Sequence, residues 1–142
     1  MKTDNVLATR PHKVIYRDGD KVWKVFDANY PKTDVLNEAL NQARVEETGL
    51  PIPRVHGVTV NEEGKWAIIS DYIEGETLAE KMAKDPENVE KYMKEFVEIQ
   101  LEIHDKTAPL LNKMKDKMSV RINSLKAVNA TTRYELSTRL ES

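Results

Sequence analysis

Up to about Gly75, short apolar runs alternate with turn residues; beyond it, apolar residues recur at intervals of three and four to the end of the chain. The first half therefore reads as strands and the second as helices. VIYR at 14–17 and KVWKVF at 21–26 flank Asp18, Gly19 and Asp20, and an Asp-Gly pair favours a two-residue hairpin turn of the primed type. RVHGVTV at 54–60 and WAIISDY at 66–72 are joined by a Gly-containing loop at 61–65, again a hairpin connection. With VLAT at 6–9 this predicts about five strands in an antiparallel sheet.

One helix interrupts the strands. It is predicted to start after Pro31, with Thr33 or Asp34 as N-cap, and to stop at Gly49 with Pro51 just beyond. Its apolar residues Val35, Leu36, Ala39, Leu40 and Ala43 cover an arc of about 140°, and that face is expected to pack on the sheet. After Gly75, Thr77 and Glu80 have capping-box spacing ahead of a short helix to about Lys84. Asp85 and Pro86 then read as a fresh N-cap and first turn for a helix carrying Val89, Tyr92, Met93, Phe96, Ile99 and Ile103. Leu111, Met114, Met118, Ile122 and Leu125 predict a further helix, and Tyr134, Leu136 and Leu140 a last short one. The fold class is α+β, with a strand-rich part over 1–75 and a helical part over 76–142.

Composition narrows the function classes. A chain of 142 residues with 39% hydrophobic and 32% charged residues has the size and make-up of a folded domain, and its 5 Gly and 6 Pro exclude collagen-like and low-complexity sequence. Lys and Arg total 22 against 24 Asp and Glu, so no net attraction to nucleic acid or an anionic membrane surface is expected. The absence of Cys removes disulfides, thiolate metal sites and cysteine nucleophiles, and suits a cytoplasmic location. No apolar run is long enough for a membrane helix, and Met1 to Asn5 are not followed by a signal-peptide core.

Lys24 is the residue out of place, since its neighbours Val22, Trp23, Val25 and Phe26 all favour burial. A turn at Asp18-Gly19 sets Arg17 opposite Asp20, Ile15 opposite Val22 and Lys13 opposite Lys24, so Ile15, Val22 and Lys24 share one face. Two aliphatic side chains able to flank a flat ring, with an ammonium two residues on for an anion, form a nucleotide-shaped pattern. Glu38 lies about 60° outside the apolar arc of the helix and can turn toward the sheet as a partner for Lys24, with Glu46 and Glu47 as lesser candidates. The pattern equally describes a lysine snorkelling from an edge strand and a solvated helix glutamate.

The stretches YRDGDKVWKVF, NEALNQARVEETGLPIPRVHGV and AIISDYIEGETL, in that order over roughly 7–80, make the chain resemble the aminoglycoside phosphotransferase and choline kinase branch of protein-kinase-like enzymes. The resemblance implies an N-terminal nucleotide-binding lobe over 1–75 and the helical start of a C-terminal lobe. It implies that Lys24 contacts ATP phosphates, that Glu38 orients it, and that Mg2+ accompanies the nucleotide. It also implies a hinge at Ser70, Asp71 and Tyr72, where the Ser70 carbonyl and Tyr72 N–H would bind adenine with Ile69 at the back of the pocket.

Two departures from that family stand out. The turn before Ile15 has no glycine, so phosphates there would rely on Arg10, His12 or Lys13 rather than on a Gly-rich loop. No HxDxxxxN catalytic loop is present, so the chain reads as a fragment that stops before its catalytic and metal-binding residues, and no catalytic residue is assigned. The expected function is the ATP-binding part of a phosphotransferase acting on the hydroxyl of a small-molecule acceptor. The rival is a non-catalytic, degenerate kinase-like module for nucleotide or protein binding. A lobe lacking its remainder is also expected to expose apolar surface and to self-associate through it.

The remaining candidates have simpler readings. His104, at the end of the long helix, fits the C-terminal dipole rather than general-base chemistry. His56 has no second ligand at metal-binding spacing and reads as a sheet residue. Lys113, Lys115, Lys117, Arg121 and Lys126 read as a solvated helix face interrupted by Asp116.

Overall fold

The computed structural model describes residues 5–142, so Met1 to Asp4, part of the start read for a signal core, lie outside the described residues. Five strands, β1 (Val6–Arg10), β2 (Lys13–Asp18), β3 (Lys21–Phe26), β4 (Val55–Val60) and β5 (Trp66–Asp71), form one sheet in the order β1-β2-β3-β5-β4. Every neighbouring pair is antiparallel. Helix α1 (Lys32–Glu46) lies between β3 and β4 in the chain. The architecture is thus α+β, and β3, the strand that carries Lys24, is the central one. An edge-strand lysine is excluded.

The β2–β3 hairpin turns at Gly19-Asp20, not at Asp18-Gly19. Asp18 pairs with Lys21, and only Gly19 has positive φ, 63°, as the first central residue of a type II′ turn requires. The ladder therefore sets Arg17 opposite Val22, Ile15 opposite Lys24 and Lys13 opposite Phe26. This is a two-residue displacement from the expected register. Side chains alternate with a period of two, so Ile15, Val22 and Lys24 still share one face.

Helix α1 begins two to three residues earlier than its polar residues suggest. Pro31, extended at φ −61° and ψ 129°, is the N-cap without a side-chain bond, and its carbonyl accepts from Asp34 N–H at 3.0 Å and Val35 N–H at 3.2 Å. Thr33 and Asp34 lie inside the first turn, where the Asp34 charge complements the helix dipole.

The sheet-facing stripe of α1 is also rotated from the one its apolar residues outline. Val35 and Ala39 join Phe26 and Ile68 in the buried core, with Tyr30, Val55, Val58 and Trp66 packed around them. Leu36 and Leu40 instead remain 44% and 49% exposed. The reason is a row of polar side chains at i, i+4 and i+8 that need partners on the sheet side. Gln42 Nε2 donates to the Pro53 carbonyl at 2.8 Å, Glu46 Oε1 accepts the Val55 N–H at 2.5 Å, and Glu38 reaches Lys24. These bonds orient the helix and turn its leucines outward.

Beyond Gly75 the chain is helical. Helix α2 (Leu78–Lys84) starts with the expected capping box: the Glu80 N–H donates to Thr77 Oγ1 at 3.1 Å and the Thr77 N–H to Glu80 Oε2 at 2.8 Å. A 3₁₀ turn at Pro86–Asn88 precedes α3 (Val89–His104). Asp85 does not cap α3; its carboxylate accepts from Asn88 Nδ2 at 2.8 Å and the Tyr92 hydroxyl at 3.2 Å. Along α3, Met93, Phe96, Val97, Ile99, Leu101 and Ile103 are all exposed.

The chain divides into two compact units, the first ending at Pro109. The second unit, from Leu110, holds α4 (Met114–Asn123) and α5 (Ala130–Glu141). Asn129 caps α5 by accepting the Thr132 N–H at 2.8 Å, and a Lys115–Glu141 ion pair at 3.0 Å ties the two helices together.

Candidate functional site

Lys24 and Glu38 meet on the face of the sheet that packs against α1. Lys24 Nζ donates to Glu38 Oε1 at 2.5 Å, with the two side chains 23% and 29% exposed. Lys13, at the start of β2, approaches the same carboxylate: its Nζ lies 3.4 Å from both Oε1 and Oε2. Burial alone pushes the Glu38 pKa up. The hydrogen bond and charge of Lys24, joined by those of Lys13, more than reverse this and hold the carboxyl below its ordinary value.

The surrounding face follows from strand pairing. Ile15 stands opposite Lys24 on β2, and Val22 lies two residues along β3 from Lys24. From β5, Ile68 pairs with Lys24 and Ser70 with Val22, so both project to this side. Ile69 does not: it pairs with Trp23 and lies on the opposite face. Against the expectation that Ile69 backs a base there, its side chain lies off the face that carries Lys24, whereas Ser70 lies on it.

The expected adenine contacts are also corrected. The Tyr72 N–H donates to the Asp20 carbonyl at 2.9 Å, extending the β3–β5 ladder beyond Asp71. In an antiparallel ladder, hydrogen-bonded pairs alternate, so Ser70, two residues back and opposite Val22, directs its backbone groups into β3 as well. Asp71 faces the other neighbour, its N–H donating to the Arg54 carbonyl at 3.0 Å. The Ile73 N–H, one residue beyond Tyr72, has no hydrogen-bond partner among the described residues.

The end of β5 is held by contacts with no evident sequence signal. Arg17 stacks over the Tyr72 ring, 3.9 Å from its centroid, donates from Nε to the Gly19 carbonyl at 3.0 Å, and has Glu74 3.6 Å from Nη2. On the opposite face, the register slips between Val55 and Gly57, and His56 Nε2 lies 2.5 Å from Asp71 Oδ1. The second Asp71 oxygen accepts the Arg54 N–H at 3.0 Å. The hydrogen bond from His56, together with that from the Arg54 backbone, holds the Asp71 carboxyl below its ordinary range. His56 is thus a sheet residue with a carboxylate partner.

The Mg2+ ion implied by the resemblance does not fit these residues. Among the described residues no three His, Asp or Glu groups converge to hold a metal, and both Glu38 oxygens face lysine ammonium groups. What the site offers is positive charge and an aliphatic surface.

The chain matches no protein-family model, no curated protein and no solved structure. The class defined by fold and site is an α+β protein with a partly buried lysine–glutamate–lysine cluster on a five-stranded antiparallel sheet.

Proposed function

We propose that this chain is the ATP-binding part of a small-molecule phosphotransferase with a protein-kinase-like N-terminal lobe. The observation that carries the reading is the Lys24–Glu38 contact at 2.5 Å on the same sheet face as Ile15 and Val22. Five antiparallel strands with a single helix after the third agree with the lobe that the sequence resemblance implies. In this reading Lys24 neutralises charge on the nucleotide phosphates, and Glu38 holds its ammonium in place. Transfer of the γ-phosphate to an acceptor hydroxyl then depends chiefly on positioning and charge neutralisation.

Ile15 and Val22 flank one side of the base, with Ser70 behind it. Because the Tyr72 N–H is taken by the sheet, the donor to the base is the Ile73 N–H. The general base and metal ligands belong to a catalytic loop that is not in this sequence, so no step is assigned to them. The rival, a non-catalytic nucleotide-binding module, uses the same site and rests on the lack of an HxDxxxxN run.

Calorimetric titration of the full chain with ATP, with and without magnesium, tests the reading. Saturable binding that is lost in Lys24→Met and weakened in Glu38→Gln is expected; a wild-type chain that binds no ATP overturns it. The chain alone is expected not to turn ATP over, and turnover abolished in Lys24→Ala would require catalytic groups that this reading leaves out.

A further inference from the structure

A phosphate-binding turn ordinarily offers backbone N–H groups, and a nest of them needs a residue in the left-handed region. The β1–β2 hairpin cannot supply one. Its turn is Pro11-His12, Pro11 has no N–H, and no non-glycine residue among those described has positive φ. The turn is also tied to the end of β3, since the Asp27 N–H donates to the His12 carbonyl at 3.0 Å. Any anion beside this hairpin must therefore be held by side chains.

The turn of this hairpin and the residues that flank it carry three basic groups, Arg10, His12 and Lys13, and they are not equivalent. His12 is turned toward Asp27, at 4.0 Å, and lies 5.9 Å from the Tyr30 ring centroid. Arg10 closes the β1–β2 ladder opposite Lys13 and is exposed. Lys13 reaches the Lys24–Glu38 pair: its ammonium lies 3.4 Å from both carboxylate oxygens and 5.5 Å from the Phe26 ring centroid. Two ammonium groups thus share one carboxylate and leave one unit of positive charge uncompensated within the cluster. Lys13 and Glu38 are each 29% exposed and Lys24 is 23% exposed, so an anion can reach them while solvent screening is reduced.

We infer that Lys13 and Lys24 form a two-point clamp for a polyphosphate on either side of Glu38, with the Lys13 side chain replacing the backbone cradle that this hairpin cannot form. Applied to a nucleotide, the clamp rests on the function proposed above, while its affinity for phosphate does not depend on a base. Glu38 sets the spacing of the two ammonium groups and retains one when the other turns to the ligand.

Binding of inorganic triphosphate, ATP and adenosine to the full chain is measured for wild type, Lys13→Met, Lys13→Arg and Lys24→Met. Circular dichroism verifies the fold of each variant. Lys13→Met is expected to weaken triphosphate and ATP roughly ten-fold and to leave adenosine unchanged. Lys13→Arg is expected to restore most of the loss, and the salt dependence of triphosphate binding should be shallower in Lys13→Met. Wild-type affinity for both phosphates in Lys13→Met, with binding lost in Lys24→Met, overturns the clamp and leaves the nucleotide reading standing. Lys13-dependent triphosphate binding with no added affinity for ATP supports the clamp and overturns the nucleotide reading. A wild-type chain that binds neither phosphate overturns both. If Lys13→Met does not fold, Lys13→Gln is read by the same criteria.

Discussion

Ile15 and Lys24 stand directly opposite one another on the β2–β3 ladder, so an aliphatic side chain and a lysine stem are neighbours beneath α1, and the ammonium ends 2.5 Å from Glu38. The sheet supplies the neighbour and the helix supplies the counter-charge. Neither element creates the site alone.

Removing the carboxylate leaves Lys24 and Lys13 facing each other without compensation. Glu38→Gln is therefore expected to lower stability by about 1–2 kcal/mol in urea denaturation. Lys24→Met removes one of the two charges, so the double variant should recover part of the loss, with a coupling of about 1 kcal/mol. Additive single losses would show that the contact carries no energy of its own.

The pH dependence follows from the direction of the Glu38 shift. Lys24 and Lys13 hold the folded carboxyl below its ordinary value of 4.5, so folding favours the ionised form. The stabilisation is complete above the unfolded value and is lost as pH falls through the depressed folded value. Denaturation midpoints of the wild type should fall on acidification below about pH 4.5 more steeply than those of Glu38→Gln. Parallel curves would remove Glu38 from the acid-sensitive groups.

Much of this arrangement was legible in the sequence because the strand signal has a period of two. The β2–β3 register slips by two residues from expectation, yet the face shared by Ile15, Val22 and Lys24 survives, and with it the pairing to Glu38. Strand β5 gave no such guide. Ala67, Ile68 and Ile69 form a continuous apolar run, as in a strand covered on both faces, so Ile69 and Ser70 could not be assigned to a side. The orientation of α1 is not legible for a different reason: the partners of Gln42 and Glu46 are Pro53 and Val55, beyond the helix, and a helical wheel does not contain them. Lys13 lies on the Lys24 face in the expected register as well as in the observed one, so its reach to Glu38 depends on the approach of α1 to the sheet and not on the strand pairing.

The turn that sets this register depends on Gly19, whose φ of 63° lies in the left-handed region. No atom lies within 4 Å of the position a Cβ would occupy, so Gly19→Ala meets a backbone cost without a clash. A loss of about 1 kcal/mol is expected, seen as a lower urea midpoint at unchanged slope. Wild-type stability would show that the residue is not held at positive φ.

The end of β5 offers a test of base recognition that leaves the phosphate cluster untouched. The Tyr72 N–H is part of the sheet through the Asp20 carbonyl, whereas the Ile73 N–H has no partner among the described residues. Proline at 73 therefore removes a donor that no described residue uses. It also favours an extended residue before it, which suits Tyr72 as it continues the β5 ladder. Ile73→Pro is expected to keep stability within about 0.5 kcal/mol of wild type. Its affinity for ATP should fall roughly ten-fold while that for inorganic triphosphate stays unchanged, because only the base loses a hydrogen bond. Unchanged ATP affinity in a folded Ile73→Pro chain would mean that no base is read at this strand end, and would leave Lys13, Lys24 and Glu38 as a phosphate site without a nucleoside pocket.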